Sequence, residues 1–239
     1  MVRYSEIYAR YEDSYPRFWY RIRGQKVLEM LKPKPSDRIL EIGCDTGWLV
    51  RKLMGYSESV VGIDINDAGL KIANMRNLLC MDIADMGFRD NSFDKIVCLH
   101  TIEHVQSINR ALEEMSRILK PTGNILLIYP FEIIRGISAM GSAWALCPSI
   151  SKAGELHIHC LSKARKLHIH KLYPSKITKL VEGNGLSPIG SVMFMDPWPS
   201  YLTILERREQ VRKHYNFDVQ GSESVDHVWI GNRYAESFA

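Results

Sequence analysis

The chain has 239 residues, of which 46% are hydrophobic and 10% aromatic, so it is long enough for one large domain with a sizeable core. Its formal net charge of +4 does not indicate a nucleic-acid-binding protein, because such binding usually needs a concentrated basic face. Five cysteines without a CxxC pair favour a reducing compartment over a disulfide framework. The first residues lack the apolar region of a signal peptide, and the apolar stretch 133–150 is too interrupted to span a membrane, so we expect a soluble cytoplasmic protein.

Apolar runs alternate with helical patterns along the first half of the chain. A helix is predicted from Phe18 to Leu31, a second carries Trp48 and Leu53, and a third begins near Ser107 and ends at the Pro-Thr-Gly sequence 121–123. The predicted strands are almost wholly apolar: Arg38–Ile42, Ser59–Ile63, Leu78–Met81, Lys95–Leu99 and Asn124–Tyr129. Such strands separated by helices predict a parallel sheet covered on both faces.

The C-terminal half contains a predicted helix at about 175–182 and two strands, Ser187–Met193 and Tyr201–Leu205. The link at 196–199 is too short for a crossover helix, so these strands should be antiparallel. We expect an N-terminal helical segment (1–36), a main domain (37–207) and a C-terminal tail (208–239). An insertion at about 131–174 should lie over the C-terminal edge of the sheet, where open α/β folds bind ligands.

The most informative pattern is a glycine-containing turn between two acidic positions. Gly43 and Gly47 allow a tight turn from strand to helix and close approach of a ligand. Asp64, at the end of the second strand, stands where a carboxylate accepts hydrogen bonds from both hydroxyls of a ribose. The dinucleotide fingerprint needs a third glycine that is missing here, and Glu41 would repel a pyrophosphate but attract an ammonium. A ligand with an adenosine at one end and an amino acid at the other fits better.

These residues resemble the core of class I S-adenosylmethionine-dependent methyltransferases, particularly the broad group that includes the ubiquinone and menaquinone biosynthesis enzymes. The resemblance runs from Asp37 to about Pro130 and includes Ile-Leu-Glu-Ile-Gly-Cys-Asp-Thr-Gly at 39–47 and Val-Gly-Ile-Asp at 61–64. It continues in Met-Asp-Ile-Ala-Asp-Met-Gly-Phe at 81–88, Asp-Asn-Ser-Phe-Asp at 90–94 and Glu-His-Val at 103–105. It implies a Rossmann-like, doubly wound α/β fold whose seven-stranded sheet is mostly parallel with an antiparallel edge strand, and it implies a helical lid insertion.

The resemblance also implies how S-adenosylmethionine is held. Residues 43–47, including Cys44, would cradle its methionine part, with Glu41 near the amino group and the backbone around Leu99 alongside. Asp64 would hold the ribose, and the adenine would lie near Ile65, Asp82 and Ile83. The family commonly has glycine where this chain has Asp45, a residue that tolerates left-handed backbone at some cost. The charge of Asp45 should weaken cofactor binding unless it faces the ammonium or water.

Methyl transfer needs alignment above all, and a general base only if the acceptor must lose a proton. His100, just past the fourth strand, is the candidate catalytic residue, with the alternative that it only lines the cofactor pocket. Glu103 and His104 are expected to begin or orient the next helix. Tyr8 and Tyr11 either close over the cofactor or simply pack.

The insertion combines an apolar stretch with a basic one, and two interpretations remain open. In the first, it forms a lid that contacts a lipid-like acceptor or a membrane surface. In the second, it forms a lid whose lysines are simply solvated. The basic residues are Lys152, Lys163, Arg165, Lys166, Lys171, Lys176 and Lys179. Two His-x-His pairs (157/159 and 168/170) and Cys160 raise zinc as an alternative, but the lysines disfavour a cation and we expect no metal. The competing functions are a non-catalytic, partner-activating protein of the same fold, which Asp45 favours, and a nicotinamide-dependent oxidoreductase.

Overall fold

The computed structural model describes residues 17–131, 169–196 and 198–215. The expectations for Tyr8 and Tyr11, for the larger part of the insertion and for the tail beyond residue 215 lie outside the described residues. Within the described ranges, no helix is both long enough and apolar enough to cross a bilayer.

The described residues form an α/β fold around one seven-stranded sheet. The first half contains α1 (Arg17–Leu31), β1 (Arg38–Ile42), α2 (Trp48–Leu53), β2 (Ser59–Asp64), α3 (Asp67–Ala73), β3 (Leu78–Cys80) and β4 (Phe93–Leu99). A 3₁₀ turn (Ile102–His104) precedes α4 (Ile108–Ile118) and β5 (Leu119–Pro130). After the insertion come α5 (Pro174–Gly183), β6 (Leu186–Asp196), β7 (Trp198–Arg207) and α6 (Arg208–Tyr215).

The sheet has the strand order β3-β2-β1-β4-β5-β7-β6. Strands β1 to β5 are parallel, so their carboxyl ends meet at one edge of the sheet. The order reverses between β1 and β4, and such a switch point opens a crevice for ligands. The doubly wound, mostly parallel sheet predicted from the sequence is confirmed.

Two apolar layers bury the faces of the sheet. One contains α4 and α5 residues with Leu40, Ile42 and Ile96 from the strands, and the other contains α1 and α2 residues with Ile39 and Val97. Successive residues along β1, and likewise along β4, therefore pack into opposite layers. Because both faces of these strands are buried, their residues are mostly apolar instead of alternating with polar residues.

The last two strands form the predicted antiparallel pair, and β7 is the reversed strand. It pairs antiparallel with β5 on one side and with the edge strand β6 on the other. The strands are longer than the sequence indicated, because pairing extends from Leu186 with Arg207 to Asp196 with Trp198. The 196–199 segment is therefore mostly strand, and the expected four-residue loop is wrong.

The boundary between α4 and β5 also differs from expectation. The helix ends at Ile118, and Leu119 already pairs with Phe93 as the first residue of β5. The Pro-Thr-Gly sequence 121–123 lies within β5 beside a register shift rather than ending the helix. Leu119 fits the helical spacing of apolar residues, although it is buried as part of a strand. Apolar spacing alone does not distinguish a residue buried in a strand from one buried on a helix face.

Candidate functional site

The turn at 43–47 connects β1 to α2 at the carboxyl edge of the sheet. Its φ angles are 79° at Gly43, 43° at Asp45 and 72° at Gly47, all in the left-handed region. The backbone N–H groups of Gly43 and Cys44 donate to the Ile63 carbonyl at 2.8 and 3.0 Å and tie the turn to β2. Glycine adopts such angles freely and Asp more readily than most residues. The expectation that the turn tolerates Asp45 is confirmed.

Gly43 is also required by a close approach of the chain after β4. A Cβ atom at Gly43 would lie 1.9 Å from Oγ1 of Thr101. This hydroxyl lies 3.0 Å from the Leu99 carbonyl and 3.2 Å from the Ile42 carbonyl, so it bridges the ends of β4 and β1. The two loops that would flank a ligand are therefore held together.

Glu41 places a carboxylate beneath this turn. The residue is 1% exposed, and its side chain accepts a hydrogen bond from the backbone N–H of Val50 in the first turn of α2. Burial raises the pKa of Glu41 well above its usual range, the Val50 hydrogen bond lowers it, and the nearby charges of Asp64 and Asp45 raise it further. Among the described residues, nothing forms a hydrogen bond with its second oxygen, Oε2.

Asp64 is held in a fixed orientation at the end of β2. Its Oδ2 accepts a hydrogen bond from the backbone N–H of Asp45 at 2.8 Å, and its Oδ1 accepts one from that of Asn66 at 2.7 Å. A carboxylate offers about four lone-pair positions, so both oxygens retain acceptor capacity. The half-buried side chain is thus fixed by the backbone and able to accept two further donors.

The Asp45 side chain points toward the start of α3. Its Oδ1 accepts a hydrogen bond from the side-chain amide of Asn66 at 3.2 Å and would lie 2.3 Å from a Cβ atom at Gly69. A negative charge is favourable at the N-terminus of a helix. The position of the Asp45 side chain against α3 therefore compensates part of its negative charge, which was expected to weaken cofactor binding.

The residues expected around the adenine differ in exposure. Ile65 is 65% exposed, and Asp82 is exposed with its Oδ1 accepting a hydrogen bond from the Ala84 backbone N–H at 2.8 Å. Ile83 is 7% exposed and packs in the core layer with α4, so it offers a ligand little surface. Leu99 and Cys44 are buried at 6% and 1%, which leaves their backbone as the part that can meet a ligand.

His100 stands between the turn and a buried acid. Its φ is 47°, its backbone N–H donates to the Ile128 carbonyl at 2.9 Å, and its side chain is 15% exposed. Its Nδ1 lies 3.4 Å from Oε1 of Glu103, a side chain that is 1% exposed, and Nε2 of His104 lies 3.9 Å from the same oxygen. Glu103 and His104 do not begin α4, because Ser107 caps that helix by accepting the Arg110 N–H.

Sequence reasoning missed Thr101 and Asn66. The Thr101 contact with Ile42 joins residues 59 positions apart, so no local pattern indicates it. Asn66 had a weak signal, since a polar residue two positions after an acid is typical of a turn that the acid closes. Of the histidines considered for zinc, the structure describes His170, whose Nε2 lies 2.9 Å from the Val105 carbonyl. No cluster of metal-binding side chains occurs within 17–131, 169–196 and 198–215.

Comparisons with known proteins agree with this geometry. Residues 40–127 match a family described as methyltransferase domain. The chain is 32% identical over 125 residues to the ubiquinone/menaquinone biosynthesis C-methyltransferase UbiE of Ectopseudomonas mendocina, covering 47% of each protein. It is 28% identical over 120 residues to 24-methylenesterol C-methyltransferase 2 of Arabidopsis thaliana, covering 46% of this chain and 33% of the relative. The chain thus spans less than half the length of these relatives.

A solved structure shares the fold. The crystal structure of a putative methyltransferase from Bacillus halodurans superposes with a TM-score of 0.58 at 14% identity, covering 76% of this chain and 97% of the other. At that identity the likeness concerns the fold alone, and it supports the seven-stranded Rossmann-like architecture.

Proposed function

We propose that residues 40–127, which match a methyltransferase domain, form a class I methyltransferase core that moves a methyl group from S-adenosylmethionine to a small-molecule or lipid-like acceptor. The observation that carries the proposal is the set of acidic groups around the 43–47 turn. Glu41 holds a buried oxygen with no hydrogen-bond partner among the described residues, directly below a turn that only left-handed backbone can form. A buried acceptor of this kind fits an ammonium group, which donates three hydrogen bonds.

The other residues fit the remaining parts of the cofactor. The fixed Asp64 carboxylate suits a ribose diol, and the exposed apolar side chain of Ile65 beside it suits an adenine face. When bound, S-adenosylmethionine supplies a methyl group on a positively charged sulfur. The residues of the chain would bind and orient the cofactor and the acceptor and exclude water. His100 is our candidate for the group that accepts a proton from the acceptor.

The acceptor class is proposed from the relatives. One is named for quinone biosynthesis and one for a sterol, and both names describe C-methyltransferases. A lipid-like acceptor would suit the apolar stretch and the basic residues of the insertion, which we propose to be a lid able to contact an anionic membrane surface. Sedimentation with anionic vesicles at low salt tests the surface contact, and absence of binding would exclude it.

We also propose a reducing compartment such as the cytoplasm. Within the described ranges Cys44, Cys80 and Cys98 are free thiols, and burial raises the pKa of Cys44 and Cys98 well above the usual range. Burial therefore keeps these two groups protonated and unreactive. Cys80 is exposed, so burial does not protect this third thiol.

Calorimetry tests the cofactor assignment. We expect the wild-type protein to bind S-adenosylmethionine and its demethylated product but not NADH, and Asp64→Asn to weaken binding by about 10- to 100-fold, as loss of charge-assisted hydrogen bonds does. Asp67→Asn is the matched control, because Asp67 lies nearby on α3 with its side chain 56% exposed and paired with Lys71. Failure of the wild-type protein to bind the sulfonium compound would refute the proposal.

The second candidate function is the non-catalytic, partner-activating protein. Asp45 favoured it in the sequence, but its side chain hydrogen-bonds Asn66 and its backbone keeps the turn. Cofactor binding without turnover across a broad panel of quinone, sterol and acyl acceptors would favour this alternative. The oxidoreductase alternative has no support among the relatives, which are methyltransferases.

A further inference from the structure

Glu103 is a buried carboxylate close to the reaction space. It lies in the 3₁₀ turn after β4, and its side chain is 1% exposed. Its backbone carbonyl accepts hydrogen bonds from the N–H groups of Ile169 and His170 at 3.0 and 3.2 Å, so the turn is anchored to the chain that returns from the insertion. Burying an ionised carboxylate is costly unless nearby groups compensate its charge. Two imidazoles lie within 4 Å of its Oε1, those of His100 at 3.4 Å and His104 at 3.9 Å.

His100 is held in an unusual backbone conformation beside the glycine turn. Its φ of 47° is uncommon for a residue with a side chain, and such strain is concentrated at functional sites. The neighbouring Thr101 lies against Gly43, so His100 is fixed close to the proposed methionine position.

We propose that Glu103 is the positioning residue of His100, an inference that rests on the proposed function. Oε1 of Glu103 accepts a hydrogen bond from Nδ1–H of His100, which holds the imidazole in one tautomer and leaves Nε2 as the proton acceptor. The 3.4 Å separation is long for a hydrogen bond, as is common for catalytic pairs before substrate binds.

Methyl transfer with His100 as the base moves one proton and two electron pairs. A proton of the acceptor moves to Nε2 of His100, and the electron pair left on the acceptor forms the bond to the methyl carbon. The carbon–sulfur bond breaks, and its electron pair remains on the sulfur, which becomes neutral. The positive charge gained by the imidazole is compensated by the Glu103 carboxylate, which does not itself take the proton.

The first test needs neither acceptor nor turnover. Nitrogen NMR of ¹⁵N-histidine-labelled protein, at a pH where imidazole is neutral, reports which ring nitrogen carries the proton, and His100→Gln assigns the signal. We expect Nδ1–H in the wild-type protein, loss of that preference in Glu103→Met, and its retention in Glu103→Gln, which keeps an acceptor oxygen. His104→Asn is the matched control, since it removes the other imidazole near Oε1. A wild-type His100 protonated at Nε2 would overturn the proposal, whatever the variants do.

The second test is kinetic and follows the discovery of an acceptor. We expect Glu103→Met to lower kcat by about 100-fold or more, the usual range for general base catalysis, with KM for the cofactor unchanged. In the His100→Gln background the same substitution should change kcat less than twofold, because its effect passes through the imidazole. Equal losses in both backgrounds would overturn the positioning role. Absence of S-adenosylmethionine binding to the wild-type protein would instead refute the proposed function, so the two failures are distinguishable.

Discussion

Glu41 stabilises the start of α2 and, under the proposed function, would also bind the ammonium group of the cofactor. It accepts the Val50 N–H at the start of α2, where Gly47, the N-cap residue, has no side chain to do so. The same burial that makes this cap effective raises the pKa of the carboxyl, with Asp64 and Asp45 adding to the shift. Burial therefore favours the protonated form of Glu41 in the protein without cofactor, whereas a bound ammonium would favour the ionised form.

This raised pKa predicts how stability changes with pH. Between the ordinary pKa of an unfolded glutamate and the raised pKa of Glu41, the folded chain binds one proton more than the unfolded chain. The free energy of unfolding should fall as pH rises through this window, by up to about 1.4 kcal/mol per pH unit. Glu41→Gln keeps an acceptor for Val50 but cannot ionise, so its contribution should not change with pH.

Urea unfolding of both proteins across this pH range measures the difference. The stability of Glu41→Gln relative to wild type should rise with pH, and its affinity for S-adenosylmethionine should fall. The lowered pKa values of Asp94 and Glu114 act in the opposite direction and at lower pH, and they are common to both proteins. A stability difference that is constant with pH would contradict the raised pKa.

At the residue scale, sequence reasoning placed residues that lie at the ends of strands and helices and missed residues that come together only through strand pairing. Gly43 follows β1, Gly47 is the N-cap of α2 and Asp64 ends β2, so their positions are visible in a local pattern. Thr101 reaches Ile42 only because β4 pairs with β1, which no short stretch of sequence encodes. Ile83 was expected beside the adenine, yet its side chain packs in the core.

At the element scale, Arg117 attaches α4 to the 86–90 segment. Its guanidinium donates to Glu114 and Asp90, each at 2.7 Å, and to the carbonyls of Met86 and Phe88 at 2.8 and 2.7 Å. Glu114 is 7% exposed and also accepts the Met86 N–H, and the hydrogen bond from Arg117 holds its pKa below the usual range. One side chain thus joins the buried Glu114 carboxylate, the exposed Asp90 carboxylate and two backbone carbonyls of this segment.

Removing this guanidinium should destabilise the fold. Arg117→Met leaves the Glu114 carboxylate without its cationic partner, and we expect a loss of about 2–4 kcal/mol in the free energy of unfolding. Arg110→Met is the matched control on the same helix, because Arg110 and its partner Glu113 have side chains 56% and 50% exposed. Such an exposed pair contributes at most about 1 kcal/mol. Equal effects of the two substitutions in chemical unfolding would contradict the role assigned to Arg117.

The sequence predicted whether an element is a helix or a strand where the burial pattern agrees with the spacing of apolar residues. It did not predict the first and last residues of every element. The helix over 108–118 has a clear apolar face, but Leu119 continues that face while belonging to β5. Pro121 is tolerated near the start of β5, where the register with β4 shifts. A proline signal alone cannot distinguish the end of a helix from an irregular strand.

For the whole molecule, the apolar strands predicted a parallel sheet, and the short link at 196–199 predicted an antiparallel pair at the end of the chain. Short links place β6 and β7 side by side, but nothing local shows that β7 rather than β6 pairs with β5. That choice depends on pairing between residues far apart in sequence, such as Asn124 with Glu206. The order of the outer strands is therefore a property of the complete topology.

If the glycine turn contacts the proposed cofactor, Gly43→Ala should remove the stabilisation that the bound cofactor gives to the whole molecule. A ligand at 100 times its Kd stabilises the folded state by about 2.7 kcal/mol, which for a chain of this size raises Tm by about 5–10 °C. The alanine Cβ would meet Thr101 Oγ1 at 1.9 Å and would require a φ of 79°, so the turn must deform or separate from the loop after β4.

Thermal unfolding with and without S-adenosylmethionine should show this shift for wild type and not for Gly43→Ala, whose own Tm should also be lower. Gly87→Ala is the matched control, because its Cβ would meet only Met81 Cε, at 3.8 Å, and Gly87 has no positive φ. If Gly43→Ala kept the full ligand-induced shift, the turn would not be in contact with the cofactor. The ligand would then have to gain its stabilising contacts elsewhere along the carboxyl edge of the sheet.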